Sequence, residues 1–372
     1  MHTRLLVTSA GSGASGNLMR SLRAGTPSLT IVGCHDDQFI LKNSQADRNY
    51  LVPSSSQPAW GRALRRIVDA ERIDLVIPTS DGDVAALSRA RARLGDRVFL
   101  PRATTVDLCG DKYRLTERLR THRVGAPVTY EVTDLRRIER IFERLGRPSR
   151  VWCRVRAGAG SRGAIPVASP EHARSWITYW RDMRGVSPTA FTLSEYLPGR
   201  DFGGQSLWKD GRLVLVKTYE RLSYLGSGSQ PSEVSAVGAL TKTVCEPRVA
   251  DTCVRAVRAV DKRASGVFAV DLKEDSEGVP RVTEINAGRF TSGTNLLDLT
   301  GKHNMTAVYL QLARGEAVGL HEEYEGTEHY YMLRDIDAVP RLFHADEFFD
   351  GVEDARSQGP GEGRQPERSD RP

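Results

Sequence analysis

Residues 268–286, FAVDLKEDSEGVPRVTEIN, put two carboxylates and an amide, Asp271, Glu284 and Asn286, inside two short strand-like segments joined by a charged turn. FAVDL (268–272) is an apolar run, RVTEI (281–285) alternates, and the KEDSEGVP between them carries Gly278 and Pro280. That punctuation predicts a β-hairpin. Strand period puts Val282, Glu284 and Asn286 on one face, and Asp271, near the end of the partner strand, can face them. Acids converging on adjacent strands repel one another unless a cation lies between them. A hard divalent ion suits such oxygen donors, and Mg²⁺ carrying substrate phosphates is the commonest arrangement of this kind. The alternative is a solvated hairpin with scattered acids. It accounts less well for acids that sit within the strand segments and not only in the turn.

A chain of 372 residues is long enough for two or three domains. Its composition, 39% hydrophobic and 27% charged, is that of an ordinary globular protein. No apolar run approaches the ~18–20 residues of a membrane span, and the N-terminus shows no signal-peptide pattern. Cys34, Cys109, Cys153, Cys245 and Cys253 are scattered without a CxxC pair, as in reduced cytoplasmic proteins. The histidines form no zinc-like pair. The net charge of +6 comes from basic and acidic residues interspersed along the chain, as in DLRRIERIFERLGR (134–147). This is the pattern of solvated helix faces, not of a nucleic-acid footprint. Neither nucleic acid nor membrane is an expected partner.

Up to about residue 100 the chain alternates strands (4–9, 29–34, 74–79, 98–100) with helices (17–24, 60–73, 82–94). The rhythm predicts a parallel sheet covered by helices on both faces. From 101 on, helices at 111–127 and 134–146 precede a hairpin around a glycine-rich loop. The segments FTLSEYL, GQSLWKD and RLVLVKTYE then suggest an antiparallel sheet. The expected organisation is α/β followed by α+β, with units at 1–100, 101–190 and 191–353. A tail at 354–372, rich in Pro, Gly and charge, has too little apolar surface to order itself.

GSGASG (11–16) satisfies GxGxxG between a strand and a helix, and Asp36 lies 20 residues beyond Gly16. Alone, this fits dinucleotide binding as well as it fits a glycine turn that serves close packing. A second, independent phosphate loop is VWCRVRAGAGSRG (151–163). There Arg154 and Arg156 precede Gly158, Gly160, Ser161, Arg162 and Gly163. Backbone N–H groups of such a loop suit phosphate oxygens, and arginine adds bidentate donors. FTLSEYLPGRD (191–201) then offers Glu195 and Asp201 to sugar hydroxyls or an amino group.

Taken in order, these segments resemble the ATP-grasp superfamily, in the carbamoyl-phosphate-synthase-like branch that includes stand-alone carboxylate–amine ligases. VTSAGSGASGNLMRSLRA and RIDLVIPTSDGDVAALSRAR are similar to parts of its Rossmann-like pre-ATP-grasp domain. DKYRLTERLRTHRVGAPVT resembles the entry to a two-lobed ATP-grasp module with antiparallel sheets. VWCRVRAGAGSRGA resembles its phosphate loop, SEYLPGRDF its hinge, and Asp271, Glu284 and Asn286 its D…ExN metal motif. The resemblance implies that Lys112 and Arg154 contact ATP phosphates and that residues 158–163 form a lid. It implies that Glu195, with the backbone of Tyr196 and Leu197, holds adenine and Asp201 the ribose. Asp271, Glu284 and Asn286 would hold two Mg²⁺, and Arg289 would face the transferred phosphoryl group or the carboxylate. Two departures stand out. Arg154 replaces a lysine, and EINAGRF replaces EINPRF, so Arg289 sits one residue late.

The expected activity is ATP-dependent joining of a carboxylate to an amine through an acyl phosphate. The substrates are small molecules, amino acids among them, or a carrier protein, and a homodimer is compatible with this reading. Ser80 and Asp81, in the turn TSDGD (79–83), are expected to line the substrate pocket, with Asp81 toward the amine; the competing role for Asp81 is a helix cap. Two other functions remain, a nicotinamide-dependent dehydrogenase built on GSGASG and a non-catalytic nucleotide-binding protein.

Overall fold

The apolar run of the first strand is buried on both sides, as in a central strand of a parallel sheet. In the computed structural model, which describes residues 2–350 except 159, 162, 230–234, 236, 337 and 349, four parallel strands lie in the order β3-β2-β1-β4. They are β1 (Thr3–Thr8), β2 (Leu29–His35), β3 (Arg48–Leu51) and β4 (Leu75–Ile77). Leu5 and Val7 point into one core and Leu6 into another, the period-two split that a covered sheet demands. Helices α1 (Gly13–Gly25), α2 (Trp60–Ala70) and α3 (Asp81–Leu94) supply Leu18 and Leu22 to the first core, and Leu64 and Leu87 to the second.

Two details of this unit differ from expectation. β3 reads RNYL and is mostly exposed, so it has no apolar alternation to announce it. Residues 98–100 are not a strand: the Phe99 carbonyl accepts the Tyr309 hydroxyl, and no strand pairs with this segment.

Helices α4 (Ala103–Cys109) and α5 (Lys112–Thr121) follow. Next comes a small antiparallel sheet in the order β5-β8-β6-β7, with β5 (Thr129–Glu131), β6 (Val151–Val155), β7 (Ile165–Val167) and β8 (Phe191–Glu195). Helices α6 (Ile138–Arg144) and α7 (Pro170–Arg184) cover it through Ile141, Phe142, Ala173 and Ile177. The large sheet runs β13-β12-β9-β10-β11-β14-β15. Its strands are β9 (Asp201–Lys209), β10 (Arg212–Tyr224), β11 (Gly238–Thr243), β12 (Gly266–Glu274), β13 (Pro280–Ala287), β14 (Tyr330–Leu333) and β15 (Arg341–His344). Helix α8 (Pro247–Val260) backs one face, and α9 (Thr294–Thr300) and α10 (Met305–Ala313) pack on the other, where they meet the parallel sheet.

The expected unit boundary at 190/191 moves. β8 hydrogen-bonds to β5 and β6, so the small sheet extends through Glu195. The segment from 101 does not open that lobe either. Leu108, Leu115, Leu119 and Val124 share a core with Phe202, Val249 and Ile285 of the large sheet and α8, because the apolar side of α5 has that core to fill. The expected tail at 354–372 lies outside the described residues. No helix among the described residues is long and apolar enough to cross a membrane.

Where α9 and α10 join the parallel unit, Asp298 is 6% exposed. Burial pushes its carboxyl pKa up to about 7, although the Met305 N–H and nearby Lys217 act the other way. An acid held above its unfolded value of about 3.9 favours folding least where it is ionised. Stability therefore falls as pH rises from about 4 to about 7. Asp298→Asn keeps an oxygen for the Met305 N–H. It should raise Tm at pH 8 and change it little at pH 4; an equal shift at both pH values would dissociate it from this ionisation.

Candidate functional site

The acidic hairpin forms as β12 and β13. Asp271 pairs directly with Glu284, and Ala269 with Asn286. The register then slips, since the next pair is Leu272 with Val282, and Thr283 is left as an extra residue. The slip is a β-bulge, which bends a strand and re-aims its side chains. It corrects one expectation: Val282 does not share a face with Glu284 and Asn286 but joins Ile285 in the core under α8. The two polar side chains face the opposite way. They line a cavity of about 210 Å³ between the small and large sheets.

That cavity collects most of the expected residues. Lys112, Arg154, Gly158, Gly160, Ser161, Glu195, Tyr196, Leu197, Asp201, Asp271, Glu284, Asn286 and Arg289 all line it. Lys112, at the start of α5, is buried. Its Nζ donates to the Gly158 carbonyl at 2.7 Å and lies 3.4 Å from Glu284 Oε1. One ammonium thus ties the glycine loop to the acidic hairpin. Arg154, on β6, is 9% exposed and donates from Nη2 to the Thr283 carbonyl at 3.0 Å. Its Nε has no hydrogen-bond partner. Burial lowers the guanidinium pKa and nearby Glu284 opposes the shift. Glu195 Oε2 accepts the Val128 N–H at 3.3 Å. The adjacent Tyr196 ring stands 6.5 Å from that of Trp152.

Other expected residues lie elsewhere. Arg156 does not line the cavity. It donates to both Asp111 oxygens and to Glu131, and so fastens the small sheet to the N-cap of α5. Gly163 packs beside Val155, where a Cβ would come within 2.8 Å, and its carbonyl accepts the Trp176 indole N–H. Arg162 lies outside the described residues. Ser80 caps α3 by accepting the Asp83 N–H and lines a separate pocket with Thr8, Ser9, His35 and Asp83. Asp81 is the first residue of α3, and its carboxylate pairs with Arg289, which also donates to Asn286 Oδ1 at 2.6 Å. In the glycine turn of the first unit only the first glycine is tightly packed. Gly11 has φ +93°, and a Cβ there would lie 1.9 Å from the Ile40 carbonyl oxygen.

Sequence reasoning missed Arg221 and Tyr224. Both are on β10 and both line the cavity. Arg221 Nη1 donates to Asp201 at 2.5 Å, and Nη2 donates to Asp271 and to the Tyr219 hydroxyl. Tyr224 donates to the other Asp201 oxygen. Burial by itself would lower the Arg221 pKa, yet Asp271, Tyr219 and Asp201 hold it above its ordinary value. An arginine in the run VKTYERLSY (216–224) reads in sequence as an exposed strand position.

The residues on the hairpin suit a hard divalent ion, since they are two carboxylates and an amide oxygen on neighbouring strands. Among the described residues no group of three or more His, Cys, Asp or Glu could hold a metal, so Asn286 is needed to complete the donor set.

No protein-family model and no curated protein matches the sequence. Solved structures do match in fold. A biotin carboxylase–β,γ-ATP complex from Campylobacter jejuni shares 13% identity over 90% of this chain and 76% of its own, at a TM-score of 0.69. An L-amino acid ligase from Bacillus licheniformis shares 15% over 89% and 79%, at 0.66. A carboxyaminoimidazole ribonucleotide synthase from Aspergillus clavatus, complexed with ATP, shares 15% over 89% and 81%, at 0.64. All three are ATP-grasp enzymes. Two antiparallel sheets enclosing the cavity, with this likeness across nine-tenths of the chain, give the protein the ATP-grasp fold that its ordered motifs resemble.

Proposed function

We propose that the protein is an ATP-dependent carboxylate–amine ligase, with residues 1–100 as a Rossmann-like pre-ATP-grasp domain. The observation that carries this reading is Arg154, a buried guanidinium on the cavity wall with an unpartnered Nε. A buried charged donor left unsatisfied is costly, and a phosphate oxygen is the ligand that suits it. Lys112 and Arg154 would hold phosphates, and Gly158, Gly160 and Ser161 would cover them. Glu195 and the backbone of Tyr196 and Leu197 would take the adenine edge, and Asp201 the ribose. Asp271, Glu284 and Asn286 would hold Mg²⁺, as two ions in the expected arrangement; the metal, when bound, neutralises charge on the transferred phosphoryl group.

In the reaction the substrate carboxylate takes the γ-phosphoryl group, ADP leaves, and an amine then displaces phosphate to form an amide. The chain's own contribution is positioning and fixed positive charge. Lys112, by holding the Gly158 carbonyl, keeps the loop over the cavity and shields an acyl phosphate from water. The similar structures that carry ATP or β,γ-ATP support the nucleotide. The proposed setting is cytoplasmic. The proposed substrates are a small carboxylate and a small amine, such as amino acids, or a carrier protein.

Titration calorimetry should show binding of ATP with Mg²⁺ and none of NAD or NADP; NAD binding without ATP binding would overturn the reading. A screen of ADP release with pooled amino acids and small carboxylates identifies the substrates. Arg154→Met should weaken ATP at least about tenfold, because it removes a charge-assisted donor; unchanged affinity would leave Arg154 structural.

Glu284→Gln should keep the fold and lose most turnover, about a hundredfold or more, through weaker metal binding. Normal turnover in that variant would make the hairpin purely structural. Asp81→Asn separates two roles. Since Asp81 is paired with Arg289, the expected result is a lower kcat with the amine KM unchanged. A raised amine KM at constant kcat would place Asp81 in the amine pocket instead.

A further inference from the structure

Asp201 and Asp271 stand on different strands, β9 and β12, and both are bound by one side chain, Arg221 of β10. That guanidinium is 10% exposed. It donates to the Phe202 carbonyl at 3.1 Å as well, and its charge lies 5.3 Å from the centre of the Tyr219 ring. Tyr219 in turn is locked: its hydroxyl pairs with Thr291 Oγ1 at 2.5 Å, and its ring lies so close over Gly203 that a Cβ there would come within 2.3 Å. Arg221 is therefore not a surface arginine that happens to touch acids. It is packed from below, aimed into the cavity, and bonded to a carboxylate of the acidic hairpin.

Resting on the reading above, we propose that Arg221 is a built-in counter-ion that holds Asp271 of the acidic hairpin and must give it up before a divalent cation binds there. The reasoning is electrostatic. Two carboxylates held in a half-buried cavity attract any cation strongly, because the effective dielectric constant is well below that of water. A tethered guanidinium meets that demand until it is displaced, and it competes with a free divalent ion for Asp271 Oδ1. Because Arg221 also holds Asp201, release of Asp271 is linked to what happens at Asp201. A ligand that engages Asp201 changes the hold on the arginine, and the freed guanidinium then faces the anion that arrives. Free metal therefore binds weakly, and metal together with a polyphosphate binds well. Arg221 is thus a positioning residue that enforces joint loading of nucleotide and metal.

The test uses the full chain and Mn²⁺ alone, read as loss of the free-ion paramagnetic resonance signal, with no nucleotide or substrate present. Arg221→Met keeps an apolar stem beside Tyr219 and removes the charge. It should bind Mn²⁺ about tenfold or more tightly than the unmodified protein, and adding Asp271→Asn should abolish the gain. Mn²⁺ affinity unchanged or weaker in a variant with native near-ultraviolet circular dichroism would overturn the proposal. If Arg221→Met fails to fold, Arg221→Gln carries the test. It removes the charge and keeps a polar donor, so tighter Mn²⁺ binding is again expected and an unchanged affinity overturns the idea. ATP binding by the unmodified protein, measured in parallel, separates the two readings. Intact ATP binding with unmoved Mn²⁺ affinity defeats the counter-ion role alone, whereas absent ATP binding defeats the ligase reading.

Discussion

Thr283, the residue left over in the register between β12 and β13, decides which side chains face the cavity and which face the core. With strict alternation Val282 would point with Glu284, so that either a valine would be exposed in the cavity or a carboxylate would be buried under α8. One extra residue removes the conflict: Val282 and Ile285 both reach the core, while Glu284 and Asn286 reach the cavity. The bulge also frees a backbone carbonyl from the ladder, and Arg154 of the small sheet takes it up. Lys112 makes a second link, from Glu284 to the glycine loop. The two sheets thus meet across the cavity through polar contacts to the hairpin, while their apolar cores remain separate. Polar contacts of this kind are ones a charged ligand can exchange, which apolar interdigitation would not allow.

Local chemistry made part of this legible in the sequence. The parallel unit announced itself by apolar runs and helix periods, and the hairpin by acids placed in apolar strand segments. The cavity-lining residues Lys112, Arg154, Glu195 and Asp271 were recognisable because they sit in short motifs whose order along the chain matters more than any one of them. Contacts between distant segments were not legible. The slip at Thr283 leaves no mark in VTEIN. β3 is an exposed edge without alternation. β8 reads as continuous with the strands after it, yet its ladder partners lie before it in sequence. Arg156 and Arg154 are two residues apart and look equivalent. Which of them reaches the cavity depends on Asp111, 45 residues away, which binds Arg156 and withdraws it.

The departure EINAGRF acquires a physical reason in the same way. Gly288 has φ +97°, and a Cβ there would lie 3.0 Å from Val84 and 3.1 Å from Leu100. The added residue is therefore a left-handed turn pressed against the end of the parallel unit, in a conformation that favours glycine. Its consequence is the placement of Arg289. The guanidinium reaches back to Asn286 on the hairpin and forward to Asp81 at the start of α3. At that start the partial positive charge of the helix favours a carboxylate, so Asp81 is held in place for Arg289. The first unit is then more than a platform packed under α9 and α10. Through Asp81 it sets the position of a cation beside the acidic hairpin, and a shift of α3 would be felt at Asn286 through this one side chain.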